Sequence, residues 1–114
     1  MLEELDNYDW EYAFIEAQPP EVSFEDVDTS AFTREDVKEI IAYSDGENDC
    51  EDWIGIFELK DGRFVFVSSW CDYTGWDCQA GGGSFVSNSL EHLLEYSVSN
   101  EEKKRLEIQE DEEL

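Results

Sequence analysis

Residues 70 to 83 read WCDYTGWDCQAGGG and hold most of the chain's potential for chemistry. Cys71 and Cys78 are separated by six residues, and Cys50 and His92 are the only other cysteine and histidine. The four could be drawn as a Cys3His zinc set. Structural zinc sites, however, bring their ligands in close pairs two to four residues apart, and no such pair exists here. The surrounding negative charge also raises thiol pKa values and disfavours a thiolate cluster. A redox dithiol needs C-x-x-C at a helix N-terminus, which is missing. A Cys71–Cys78 bridge would fit a loop that returns to begin a strand, but in a cytosolic protein buried thiols are the default. Cys71 or Cys78 with His92 could be drawn as nucleophile and base, yet no spacing argues for it. Gly81 to Gly83 lack the Lys/Ser that completes a phosphate-binding loop. The expectation is a structural loop, with no catalysis, metal or cofactor. Gly75 and the glycine run would supply its turns, and Trp70, Tyr73 and Trp76 its apolar contacts.

Charge is the louder signal. Thirty-one Asp and Glu face seven Lys and Arg, for a net charge of -24 in 114 residues. Residues 1 to 52 hold 18 of the acids against Arg34 and Lys38, net -16. Solubility alone needs a net charge of only about 2 to 8 in a small domain. At 40% hydrophobic and 14% aromatic the chain is too apolar for a disordered acidic tail. No run approaches a membrane span, and the acidic start lacks the pattern of a signal peptide. These features predict one soluble, cytoplasmic domain over residues 1 to 108, followed by an acidic tail at 109 to 114.

The elements that would position these residues follow from periodicity. Trp10, Ala13, Phe14 and Ala17 mark a helix over 5 to 17, with Asn7 as N-cap and Pro19-Pro20 as its stop. Residues 21 to 32 read as a loop or edge strand. Thr33 with Asp36 resembles a capping box, and Val37, Ile40 and Ile41 then predict a second helix ending by Ser44. WIGIFEL and RFVFVSSW flank Asp61-Gly62, the preferred pair of a type I′ hairpin turn. That turn would pair Leu59 with Phe64, Phe57 with Phe66, and Trp53 with Trp70 on one face, leaving Ile54, Ile56, Val65 and Val67 on the other. A sheet apolar on both faces must be covered on both. AGGGSFVS predicts a third strand. Ser87 or Ser89 would cap a helix that buries Leu90, Leu93, Leu94 and Val98, and Ser99 with Glu102 would open a last one to Ile108. The fold class is α+β, a small three-stranded antiparallel sheet with helices packed against it.

The span from Trp53 to about Leu106, centred on WIGIFELKDGRFVFVSSWCDYTGWDCQAGGGSF, resembles a group of small uncharacterised proteins in bacteria and their phages. These share a KDGR-like hairpin, the CDYTGWDCQ loop and a leucine-rich helix. The resemblance implies a common fold and a phage-associated setting. It does not include the acidic N-terminal half.

Duplex DNA carries about one charge per 1.7 Å, so 24 charges match roughly 40 Å of axis. Carboxylates on a rigid scaffold would then occupy a Lys/Arg channel built for phosphates. The sequence thus predicts a DNA mimic in the manner of acidic anti-CRISPR or anti-restriction proteins. Its partner would be a bacterial DNA-binding defence complex, a Cas effector or a restriction enzyme, with no direct nucleic-acid contact. Candidate residues are Glu25, Asp26 and Asp28, then Asp45, Glu47, Asp49, Glu51 and Asp52, with Glu110 to Glu113 in the tail. Asp45, Glu47 and Asp49 alternate as in a calcium loop. Cys50 at position six and Ile56 at position twelve exclude an EF-hand. Two other readings stand beside mimicry. One is a module docking through an exposed aromatic face of the hairpin. The other is a solvated acidic surface with no specific partner, as in a salt-adapted cytosol.

Overall fold

Trp53–Leu59 and Phe64–Asp72 are dense in Ile, Val and Phe, the residues that pack best on a pleated surface. In the computed structural model, which describes residues 3–22, 26–47, 50–72 and 79–107, they are the central strands of a four-stranded antiparallel sheet. The strands are β1 (Val37–Ser44), β2 (Trp53–Leu59), β3 (Phe64–Asp72) and β4 (Gln79–Ser87), side by side in chain order. The fold is α+β, as expected, with four strands rather than three.

The additional strand is β1. The Thr33–Asp36 capping box forms, with the Thr33 N–H donating to Asp36 Oδ2 at 2.8 Å, but it caps only a single 3₁₀ turn, Arg34–Asp36. The chain then extends. Register shifts fall between Val37 and Glu39 and between Ile40 and Ala42. These bulges break the two-residue alternation, so Val37 and Ile40, three apart, pack into the same core. That spacing mimics a helix, while β-branched Val37, Ile40 and Ile41 favour the strand. Ile41 is 37% exposed, outside the predicted buried stripe.

The hairpin also differs, by one residue. Phe57 pairs with Val65, Ile56 with Phe66 and Trp53 with Ser69. The loop has three residues: Leu59 N–H donates to Arg63 O at 2.8 Å, and Gly62 N–H to Leu59 O at 3.0 Å. Only Gly62 has positive φ, at 98°, whereas a type I′ turn requires it at both central residues. Asp61 sets this register, because its carboxylate accepts from the Arg63 backbone N–H (3.1 Å) and from its guanidinium (3.0 Å), fixing Arg63 as the first residue after the turn. Trp53, Phe57 and Leu59 therefore share a face with Val65 and Val67, while Ile54 and Ile56 share the other with Phe64 and Phe66.

Both faces are covered. On the first lies α1 (Tyr8–Glu16), capped by Asn7, whose Oδ1 accepts from Trp10 N–H at 2.9 Å. Trp10 and Phe14 pack on Phe57 with ring centroids 5.8 and 5.2 Å away, and Phe14 also meets Phe32. Full burial of each such side chain contributes about 1.5–3 kcal/mol. Two buried hydroxyls seat the helix: Ser69 Oγ donates to Ala13 O at 2.7 Å and Ser84 Oγ to Ala17 O at 2.8 Å. Glu21 then pairs with the outer edge of β4 in a single parallel bridge to Phe85. On the second face lie α2 (Leu90–Tyr96), capped by Ser89, and α3 (Asn100–Arg105), opened by the Ser99–Glu102 capping box. Leu93, Val98 and Leu106 bury Ile54, Ile56 and Phe66. Among the described residues no helix is long and apolar enough to cross a membrane. Tyr73, Trp76, Cys78, Ile108 and the tail at 109–114 lie outside the described residues.

Candidate acidic docking surface

The β1–β2 connection carries the acidic loop that charge density singles out. Glu47 and Glu51 exchange backbone hydrogen bonds of 2.9 and 3.0 Å, closing the loop on itself. Gly46 crosses directly over Trp53, where an added Cβ would stand 2.5 Å from the indole, so only glycine fits this approach. Asp45 is anchored from below, its Oδ1 accepting from Trp10 Nε1 at 2.8 Å. Arg105 reaches across from α3 to Ser44 Oγ (2.8 Å) and Asp45 O (3.3 Å), and pairs with Glu51 at 3.7 Å. Glu47 and Glu51 project from this frame, both exposed. Asp52, half-buried, accepts from Ser68 Oγ at 3.4 Å. Burial pushes the Asp52 carboxyl up, Ser68 and Arg105 partly oppose this, and Glu102 and Asp72 add to it. The charge of Glu47 raises the exposed Cys50 thiol.

The other acidic cluster lies elsewhere. Asp28 Oδ1 accepts from Ser30 N–H at 2.9 Å, and this backbone bond, followed by the Ser30 hydroxyl, holds its carboxyl below the ordinary value. Its carbonyl accepts from Arg63 beside the hairpin turn, at the opposite end of β2 from the acidic loop. At about 3.3 Å per residue the seven residues of β2 put roughly 20 Å between the two ends. Asp45, Glu47, Glu51 and Asp52 are thus brought together, and Asp26 and Asp28 are not joined to them. Glu25, Asp49 and Glu110 to Glu113 lie outside the described residues.

Sequence reasoning missed the role of the arginines. Arg34 Nη1 donates to the carbonyls of Leu5 and Asn7, both at 2.8 Å. Arg63, only 6% exposed, donates to the carbonyls of Asp28 and Ser30, both at 2.9 Å. Arg105 holds α3 to the acidic loop. Each guanidinium is turned onto the chain itself and also pairs with one carboxylate, Arg34 with Glu11 at 3.9 Å, Arg63 with Asp61 at 3.0 Å and Arg105 with Glu51 at 3.7 Å.

The alternative reading places a partner on an exposed aromatic face of the hairpin; the shifted register splits those rings, with Trp53 and Phe57 beneath α1 and Phe64 and Phe66 on the side of α2 and α3. Trp70 is the exception: it points to the second face and is 40% exposed. It stands one step beyond the Trp53–Ser69 pair, opposite Asp52. Glu47, Cys50, Glu51, Asp52, Trp70 and Asp72 line a cleft of about 320 Å³. Among the described members of the drawn zinc and nucleophile sets, Cys71 packs in the first core, whereas His92 lies on the α2 side, 3.2 Å from Ser87 Oγ and stacked on Tyr96. The sheet separates them. No protein-family model, curated protein or solved structure matches the chain.

Proposed function

We propose that this protein is an acidic mimic of duplex DNA that blocks the Lys/Arg channel of a bacterial defence nuclease. The observation that carries the reading is the inward commitment of all three arginines. It leaves an outer surface dominated by carboxylates on a frame whose acidic loop is fixed at both ends. The long axis of the fold, 40 Å, supports it: at about 1.7 Å per charge, duplex DNA of that length carries roughly 24 charges. The formal net charge is -24. The phage setting rests on the resemblance of residues 53 to 106 and on nothing else. A CRISPR effector and a restriction enzyme both present the required channel.

The test is displacement of labelled duplex from purified Cas effectors and restriction endonucleases. One of them should lose its DNA to this protein, and the effect should weaken between about 50 and 200 mM salt, the range over which phosphate contacts weaken. Glu47→Gln with Glu51→Gln should reduce displacement without lowering the melting temperature. Simultaneous binding of protein and duplex to the same channel would defeat the proposal.

A further inference from the structure

We propose that the corner of the second sheet face at Trp70 is a receptor for an arginine side chain of a basic protein partner. The inference rests on the reading above, and names the contact that would anchor it. Helices α2 and α3 bury this face as far as Phe66 and Phe85. Beyond them, toward Trp70 and Gly81, no helix among the described residues covers the sheet. Trp70 lies across Gly81, where a Cβ would stand 2.7 Å from the indole, so the glycine lets the ring lie close to the strand. Gly83, on the same face, has nothing within 4 Å of where a Cβ would be. The result is an open shelf with an aromatic wall. Asp52 and Asp72 border that wall, and Glu51 closes the cleft. Arg105, whose charge acts on Asp52, is held by Ser44, Asp45 and Glu51.

An exposed indole beside carboxylates suits a planar guanidinium, which can lie on the ring while its N–H groups pair with an acid. A lysine ammonium offers no flat face and keeps its water more strongly. Phosphate-bearing surfaces are repelled. A second copy of this chain is excluded by the same argument: at -24 it repels its twin, and its arginines are bound within their own fold. The shelf is also too open to chelate a metal ion with the ligands it offers. Trp and Arg are both enriched in binding hot spots, which tend to pair across an interface.

The experiment is an amide and indole NMR titration of the full chain with blocked tri-arginine and blocked tri-lysine peptides at physiological salt. Tri-arginine should shift the Trp70 indole N–H and the Gly81 to Gly83 amides in a saturable way, with clearly weaker binding of tri-lysine. Gly83→Lys places an ammonium over the shelf where there is room for it, and should weaken tri-arginine binding about ten-fold, or 1.4 kcal/mol, with melting unchanged. Glu95→Gln makes the same one-unit charge change on the exposed side of α2 and should bind like the parent. Shifts spread evenly over the acidic surface, equal binding of the two peptides, or parental binding by Gly83→Lys would each overturn the receptor. DNA displacement that survives in Gly83→Lys would leave mimicry standing and remove the anchor. A localised arginine site without displacement of DNA from any channel would do the reverse.

Discussion

Asp52 shows how a single carboxyl reports on this fold. Folding raises its pKa, chiefly by burial, so its proton is bound more tightly in the native state than in the unfolded chain. The ionised form is therefore penalised. The penalty is absent below the ordinary value of 3.8 and grows as pH rises through the shifted one. Asp52→Asn, which keeps an acceptor for Ser68, should melt higher than the parent at pH 7, with the difference vanishing near pH 3. Thermal melts at the two pH values check this. A difference of the same size at both would trace the effect to packing. At this scale the caps were legible, since Asn7, Ser89 and Ser99 bond to groups three residues away. The arginines were not, because their carbonyl partners lie 27 to 60 residues distant and sequence spacing carries no trace of them.

Among the elements, the β2–β3 turn depends on one backbone angle. Gly62 at φ 98° sits in open space, so a side chain there would meet no neighbour but would strain the backbone. Gly62→Val should cost about 1–3 kcal/mol, and Gly62→Asn, which tolerates the left-handed region better, clearly less. Denaturant unfolding of the two variants separates angle from bulk. Equal losses would point to a different turn. The hairpin itself was visible in the sequence, through Asp61-Gly62 between apolar runs, but its register was not. One extra loop residue exchanges the faces of an entire strand, and only the Asp61–Arg63 contact reveals it. Strand β1 escaped for a related reason: two bulges restore, within a strand, the three-residue spacing by which helices are recognised.

For the whole molecule, charge density should dominate the response to solvent. Repulsion among carboxylates is relieved by screening, whose length falls from about 10 Å at 0.1 M salt to 3 Å at 1 M. The melting temperature should therefore climb steadily with sodium chloride at pH 7, and also as pH falls from 7 toward 5. In stronger acid Asp28 works against this gain: its pKa is lowered by folding, so its contribution is present above the ordinary value and lost below the depressed one. Melts that ignore salt would mean that the carboxylates stand too far apart to repel. The sequence announced this charge and the α+β class, whereas the corner at Trp70 depends on where two short helices stop, which no local pattern encodes. A different consequence follows from the seat of α1. Its last turn is tied to Ser84, 67 residues further along the chain, and Glu21 bonds to β4 beside it. During synthesis at roughly 5–20 residues per second, the N-terminal segment therefore waits several seconds for its docking strand to be made. Its dense negative charge would repel neighbouring nascent copies throughout that wait, an effect independent of any partner the finished protein meets.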